Sequence, residues 1–333
     1  MFDDAKQLIE SANKIIIIQA ENPDGDSLGS ALALEEILGD MGKDVSLYCD
    51  VETPKYLRYF NGWDRVSHDF DTSADLAIIV DTTSDTLIGK ALKLPGVRHF
   101  FETKSVLVID HHTLVESTLS FEHTLLNEKA VATGELLYYL ATSAGWTINP
   151  QAAESLFGAI QADSLGMSTQ HTTAESFEAA TGLVKLGASP YAIEARRREF
   201  IKKAPEILKF KGELIGRIEY YLDGKLAVIH VTWEDIQKYS DQFNPSILVL
   251  DEMRLVVGVE VAIAIKTYPD GKLTGKLRSN QPVSDTIAAF FGGGGHAFSA
   301  GFRVFEPIDT IIPELLTATD KALKDLPDDT ATA

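Results

Sequence analysis

The chain has 333 residues, 49 acidic and 30 basic side chains and one cysteine, for a formal net charge of −19. That length suggests two domains of roughly 100–200 residues each. A 45% hydrophobic and 24% charged composition excludes a wholly disordered chain, the lone Cys49 excludes an internal disulfide framework, and no apolar run approaches the ~18 residues of a membrane span.

The chain opens on Met1-Phe2-Asp3-Asp4, which lacks the basic start of a secretory signal, so a cytoplasmic location is expected. Residues 14–19 form a β-branched run, 21–27 a loop and 28–38 a helix with small and apolar residues at helical spacing. Residues 44–49, 76–80 and 106–109 are short apolar runs of the kind that make buried strands. Helical patterns follow at 133–143, 152–161 and 174–186. This alternation predicts an α/β domain, a mostly parallel sheet with helices on both faces.

The second half reads as a smaller α+β domain. An Asp223-Gly224 turn lies between two strand-like runs in 217–232, and Asp270-Gly271 repeats the pattern within 256–276. A helix at 284–290 leads to a glycine turn at 292–295 and a strand at 301–305. The expected organisation is a first domain at 1–189, a helical connector at 190–216, a second domain at 217–326 and a frayed tail at 327–333, with a cleft between the domains. Most of the negative charge falls in residues 1–190, while 191–303 is close to neutral. Net charge argues against long nucleic acid held non-specifically, but that division leaves room for a short anionic ligand.

Four clusters carry chemistry. Asn22-Pro23-Asp24-Gly25-Asp26 follows the first strand, Asp81 ends the third, Asp110-His111-His112 ends the fourth, and Asp163 follows an apolar helix. Taken singly, each has a plain alternative as a turn, a helix cap or a surface pair. The pattern places three of them at the carboxyl edge of a parallel sheet, where ligands bind. Carboxylate oxygen with imidazole nitrogen suits Mn²⁺ or Mg²⁺. In the second half, Gly292-Gly293-Gly294-Gly295-His296 offers backbone N–H groups to an anion, and Arg278-Ser279 ends a strand upstream of it. Arginine is suited to bidentate phosphate binding.

This ordered set resembles the DHH/DHHA1 phosphoesterase family, and more narrowly its compact members that act on very short RNA and on pAp. The resemblance spans essentially the whole chain. It implies hydrolysis of a phosphoester with two ions, usually Mn²⁺, with Mg²⁺ as a substitute. Asp81 would bridge the ions, Asp24 would bind one, and Asp26, His111 and Asp163 the other. His112 would sit beside the reacting phosphate, supported by Asp110. Two cations about 3.5–4 Å apart can activate water and neutralise a phosphoryl centre. The second domain would grip a nucleotide through Arg278, Ser279, Gly293, Gly294, Gly295 and His296.

Some positions depart from the family pattern. A His usually stands four residues before the first Asp of the Asp-Gly-Asp motif; here it is Ala20. Val115 replaces a common Asn, Thr82-Thr83-Ser84-Asp85 follows Asp81 with no Arg close by, and Ser299 replaces a common Ala. Three functions stay open. The first is hydrolysis of short RNA or pAp, and the second is cleavage of a cyclic dinucleotide or pApA. The third, prompted by Ala20, is nucleotide binding without turnover. No membrane or long-duplex partner is expected; oligomeric state is unread, a homodimer being one option.

Overall fold

Ile15, Ile16, Ile17 and Ile18 are fully buried, and they alternate between two cores. Side chains of a strand point to opposite faces, so a continuous apolar run needs cover on both sides. The computed structural model describes residues 2–112, 117–240 and 244–326, and shows how that cover is built. Val115 and the 327–333 tail lie outside the described residues.

The chain divides into two compact units between Lys202 and Lys203. The first holds strands β1 (Lys14–Ile18), β2 (Asp44–Tyr48), β3 (Leu76–Val80), β4 (Ser105–Asp110) and β5 (Thr124–Asn127). They form one sheet in the order β2-β1-β3-β4-β5, every pair parallel. Its helices are α1 (Asp3–Ser11), α2 (Gly25–Asp40), α3 (Val97–Thr103), α4 (Thr133–Ala144), α5 (Pro150–Asp163), α6 (Ala174–Lys185) and α7 (Pro190–Phe200). Ile15 and Ile17 pack with α1, α2, α4 and α5, whereas Ile16 and Ile18 pack with α3 and the loops around Ile88 and Leu92.

The second unit has a mixed sheet in the order β10-β11-β9-β8-β7-β6. Its strands are β6 (Glu219–Tyr221), β7 (Leu226–Val231), β8 (Val261–Thr267), β9 (Leu273–Ser279), β10 (Gly294–His296) and β11 (Ser299–Val304). Only β7 and β8 run parallel. Helices α8 (Pro205–Ile215), α9 (Trp233–Tyr239) and α10 (Pro245–Arg254) cover part of one face, and α11 (Ser284–Phe290) and α12 (Ile308–Lys324) cover the other. No helix among the described residues is long and apolar enough to cross a membrane.

Two differences from the sequence reading bear on the site. Helix α2 starts at Gly25, not at 28, because the Asp24 carboxylate accepts the N–H groups of Asp26 and Ser27 and caps the helix early. The expected glycine turn is partly a strand: Gly294 and His296 of β10 pair with Gly301 and Ser299 of β11.

Candidate metal centre and anion-binding face

Strand ends and two helix ends meet at one edge of the parallel sheet. Asp81 follows β3, Asp110 closes β4, and His111 and His112 come next. Asp26 stands in the first turn of α2, and Asp163 is the last residue of α5. A Cβ on Gly25 would overlap Ala162, and one on Gly29 would stand 2.7 Å from the Ser155 carbonyl. The small residues therefore let α2 and α5 touch, which brings Asp26 and Asp163 to the same imidazole.

That imidazole is His111. Its Nε2 lies 3.3 Å from Asp163 Oδ2, 3.6 Å from Asp81 Oδ1 and 3.8 Å from Asp26 Oδ2. Its Nδ1 lies 3.2 Å from the Ala130 carbonyl, which can only accept. The ring proton therefore belongs on Nδ1, and the Nε2 lone pair faces three carboxylates. Nε2 is buried and has no hydrogen-bond partner. A lone pair among anionic oxygens is unfavourable unless a cation lies between them. Two overlapping groups, Asp26-His111-Asp163 and Asp81-His111-His112, each offer ligand atoms within 4.8 Å of one another. This hard oxygen and nitrogen set fits a divalent cation.

The remaining lone pairs are fixed from behind. Asp26 is fully buried and accepts the N–H of Thr133 at 2.6 Å, the N–H of Gly134 at 3.0 Å and the Ser30 hydroxyl at 3.1 Å. The first turn of α4 thus holds the carboxylate with its N–H groups, the favourable end of the helix for an anion. The Thr133 hydroxyl also donates to Asp81 Oδ1 at 3.1 Å. Asp81 has φ of 63°, a left-handed conformation that β-strand exits avoid unless the surroundings impose it. Burial raises the Asp81 carboxyl well above its usual range, and Asp26, Asp24, Asp163 and Asp110 push it further. Burial and the charges of Asp26 and Asp24 likewise hold Asp163 up at about 7.

His112 is placed differently. Its Nδ1 lies 2.7 Å from Asp110 Oδ1, and its side chain is 45% exposed. Asp110 also accepts the His112 backbone N–H at 3.2 Å and is almost fully buried. The hydrogen bond that His112 donates to Asp110 raises the His112 pKa. Burial alone would raise Asp110, but its bonds to His112 bring it below the ordinary carboxylate value. Asp24 joins neither ligand group among the described residues: Oδ1 caps α2, and desolvation, with Asp26 beside it, raises its carboxyl. Ala20 is buried, and its carbonyl accepts the Cys49 thiol at 3.3 Å. The neighbouring Gln19 is buried with neither amide atom hydrogen-bonded.

The candidate nucleotide-binding residues lie in the second unit. Arg278 donates to the Leu277 carbonyl at 3.1 Å and to the Ser299 hydroxyl. Ser279 points to the other face of β9 and is fully buried. Its hydroxyl is 2.5 Å from the Gln281 carbonyl and 2.8 Å from the Ser284 hydroxyl. It braces the turn there and does not share the open face with Arg278. A Cβ on Gly293 would overlap Gly301, so that glycine serves the packing of β11, whereas Gly294 opens onto free space. Gly295, with φ of 149°, abuts Ala300, and the His296 backbone pairs with Ser299.

Residues 14–160 match the model of the DHH family, N-terminal domain. Over that stretch the chain is similar to DHH-family proteins. The domain match and the NrnA relatives indicate a phosphoester hydrolase. The bifunctional oligoribonuclease and PAP phosphatase NrnA of Bacillus subtilis is 21% identical over 309 residues, covering 91% of this chain and 94% of that protein. The cyclic-di-AMP phosphodiesterase GdpP of the same organism is 24% identical over 319 residues, 90% of this chain but 46% of that protein. An exopolyphosphatase-related protein from Bacteroides fragilis shares the fold, with a TM-score of 0.81 and 20% identity over 97% of this chain and 95% of its own.

The DHH triplet therefore divides its work. Asp110 supports, His111 faces the carboxylates, and His112 faces outward. Sequence reading gave no role to Ser30, Thr133 and Gly134, which hold Asp26 and Asp81. The available signal was the Thr133-Gly134 pair opening a helix, a pattern too common to stand out alone.

Proposed function

We propose that the chain hydrolyses short oligoribonucleotides and nucleoside bisphosphates such as pAp, with a divalent cation, Mn²⁺ foremost, held by Asp26, Asp81, His111 and Asp163. The observation that carries this is the buried, unpartnered Nε2 of His111 facing three carboxylates, with the exposed ring of His112 beside it. A divalent cation held there supplies positive charge to a phosphoryl oxygen and acidity to water. Asp26 is oriented in advance by Ser30, Thr133 and Gly134, so binding requires little rearrangement of it. His112, with Nδ1–H tied to Asp110, presents Nε2 outward. Protonated, that nitrogen donates to a phosphoryl oxygen or to the leaving oxygen, and Asp110 stabilises the imidazolium form. Arg278, the backbone of Gly294 and His296 are assigned to the nucleotide.

The test is release of mononucleotide from a dinucleotide with Mn²⁺, by the protein and by Asp81→Asn. The expected loss in the variant is about 100-fold or more. Equal release by both proteins would sink the proposal. Nucleotide binding with no turnover at any Mn²⁺ concentration would instead support the non-catalytic reading. The likeness to a cyclic-di-AMP phosphodiesterase over nearly the whole chain favours cyclic dinucleotide cleavage as the second reading. A panel of pAp, pApA and c-di-AMP separates the two by relative kcat/KM.

A further inference from the structure

His111 has a single lone pair to offer, and both candidate ligand groups use it. Asp26-His111-Asp163 and Asp81-His111-His112 overlap at that imidazole. Its Nδ1 faces the Ala130 carbonyl and carries the proton, so only Nε2 can bind a cation, and one lone pair binds one ion. His112 does not extend the second group. Its recorded approach to Asp81, at 3.9 Å, is through Nδ1, the nitrogen that donates to Asp110 Oδ1 at 2.7 Å. Without that nitrogen the second group reduces to Asp81 and His111, and Asp81 Oδ1 already lies 3.6 Å from His111 Nε2, beside the first group. Among the described residues the two groups therefore describe one cation position.

A second position would have to be built around Asp24, and the groups near it are committed elsewhere. Asp24 Oδ1 accepts the N–H of Asp26 at 3.1 Å and that of Ser27 at 3.0 Å. Ala20 brings only a methyl group, and its carbonyl takes the Cys49 thiol. Burial pushes that thiol up, so it stays protonated, and the protonated form is a poor ligand. The Gln19 N–H still pairs with the Tyr48 carbonyl of β2, so the Gln19 side chain points to the face opposite that of Ala20. Glu21 accepts the Lys90 N–H and lies 3.9 Å from the Lys90 ammonium. That leaves one free oxygen each on Asp24 and Asp81. An octahedral ion takes about six donors, and two carboxylate oxygens do not hold one tightly without a further ligand such as a phosphate.

We propose that the chain holds one resident divalent cation, at Asp26, Asp81, His111 and Asp163, in place of the pair that the family resemblance implies. Asp24 then serves as the cap of α2 and not as a ligand. The inference rests on reading this centre as a cation site and specifies how that site is loaded.

The experiment is Mn²⁺ binding to the whole chain without nucleotide, counted by equilibrium dialysis and read by electron paramagnetic resonance. Two manganese ions about 3.5–4 Å apart give an exchange-coupled spectrum, whereas a single ion gives an isolated-ion spectrum. The unaltered chain is expected to bind one tight Mn²⁺ with the isolated-ion spectrum. Asp163→Asn should weaken that ion about tenfold or more. Asp24→Asn should keep the count, the spectrum and Tm, because asparagine still caps a helix, while Asp24→Ala should lower Tm and keep the count. Ala20→His should add a second ion and the coupled spectrum. A coupled spectrum in the unaltered chain, or loss of a bound ion in Asp24→Asn, overturns the inference. If Ala20→His does not fold, the unaltered chain and Asp24→Asn still decide it. Mn²⁺-dependent dinucleotide release is measured in parallel. One bound ion without release leaves the inference standing and removes the proposed activity; release with a coupled pair does the reverse; no bound ion removes both.

Discussion

Asp110 acts through His112. It is buried and accepts both the ring Nδ1–H and the backbone N–H of that residue. Asp110→Asn keeps the shape and removes the charge that stabilises the imidazolium. We expect kcat to fall about 10–100-fold with KM little changed. The high-pH limb of the rate should move down, because His112 loses the interaction that raises its pKa. A variant with full kcat and an unmoved limb would remove Asp110 from the mechanism. At this scale the sequence was informative where chemistry and position coincide. Asp26, Asp81, His111 and His112 are reactive types at the ends of apolar runs, so they could be picked out. Ser30, Thr133 and Gly134 could not, because they act through a hydroxyl and backbone N–H groups that any sequence supplies. Only the packing of α4 against α2 shows what those groups face.

The contact between α2 and α5 positions two ligands, and it depends on glycine. At Gly29 a Cβ would stand 2.7 Å from the Ser155 carbonyl and 2.9 Å from the Phe60 ring. At Gly39, in the same helix, a Cβ would meet nothing within 4 Å. Alanine gains about 1 kcal/mol over glycine in a helix interior, while overpacking costs about 1–3 kcal/mol. Gly39→Ala should therefore stabilise the protein by up to about 1 kcal/mol. Gly29→Ala should destabilise it by about 1–2 kcal/mol and weaken Mn²⁺ affinity, since α2 must move away from Asp163. Urea unfolding and Mn²⁺ titration check both, and equal effects at the two positions would refute the contact's role. Most elements could be read from periodicity, with ends shifted by a few residues. The start of α2 was misplaced because Asp24-Gly25-Asp26 is ordinary turn chemistry until the Asp24 cap is formed. Strand β10 was read as a turn because its glycines carry no strand preference; its pairing with β11 is a tertiary effect.

For the whole molecule, the charge of −19 has a structural counterpart in the first unit, where Asp24, Asp26, Asp81, Asp110 and Asp163 act on one another. Without a cation this crowding opposes folding. Asp163, held at about 7, binds its proton more readily in the folded chain than in the unfolded one. Its contribution to stability is full below the unfolded value of about 4 and is lost as the pH rises through 7. A bound divalent cation reverses the balance, because it favours the ionised carboxylates. At 100 times its dissociation constant it adds about 2.7 kcal/mol. Every proposed ligand lies before Lys202, so the effect should be confined. Hydrogen exchange at neutral pH should show Mn²⁺ slowing the amides of α2, α4 and α5 and leaving the β7–β8–β9 ladder unchanged. Sodium chloride at equal ionic strength should give much smaller protection, since it screens the cluster without being ligated. Asp163→Asn should raise Tm in EDTA by relieving repulsion and should blunt the Mn²⁺ response. Equal protection of both units would show that the cation acts on the molecule as a whole and not on the cluster that sequence and structure place in its first half.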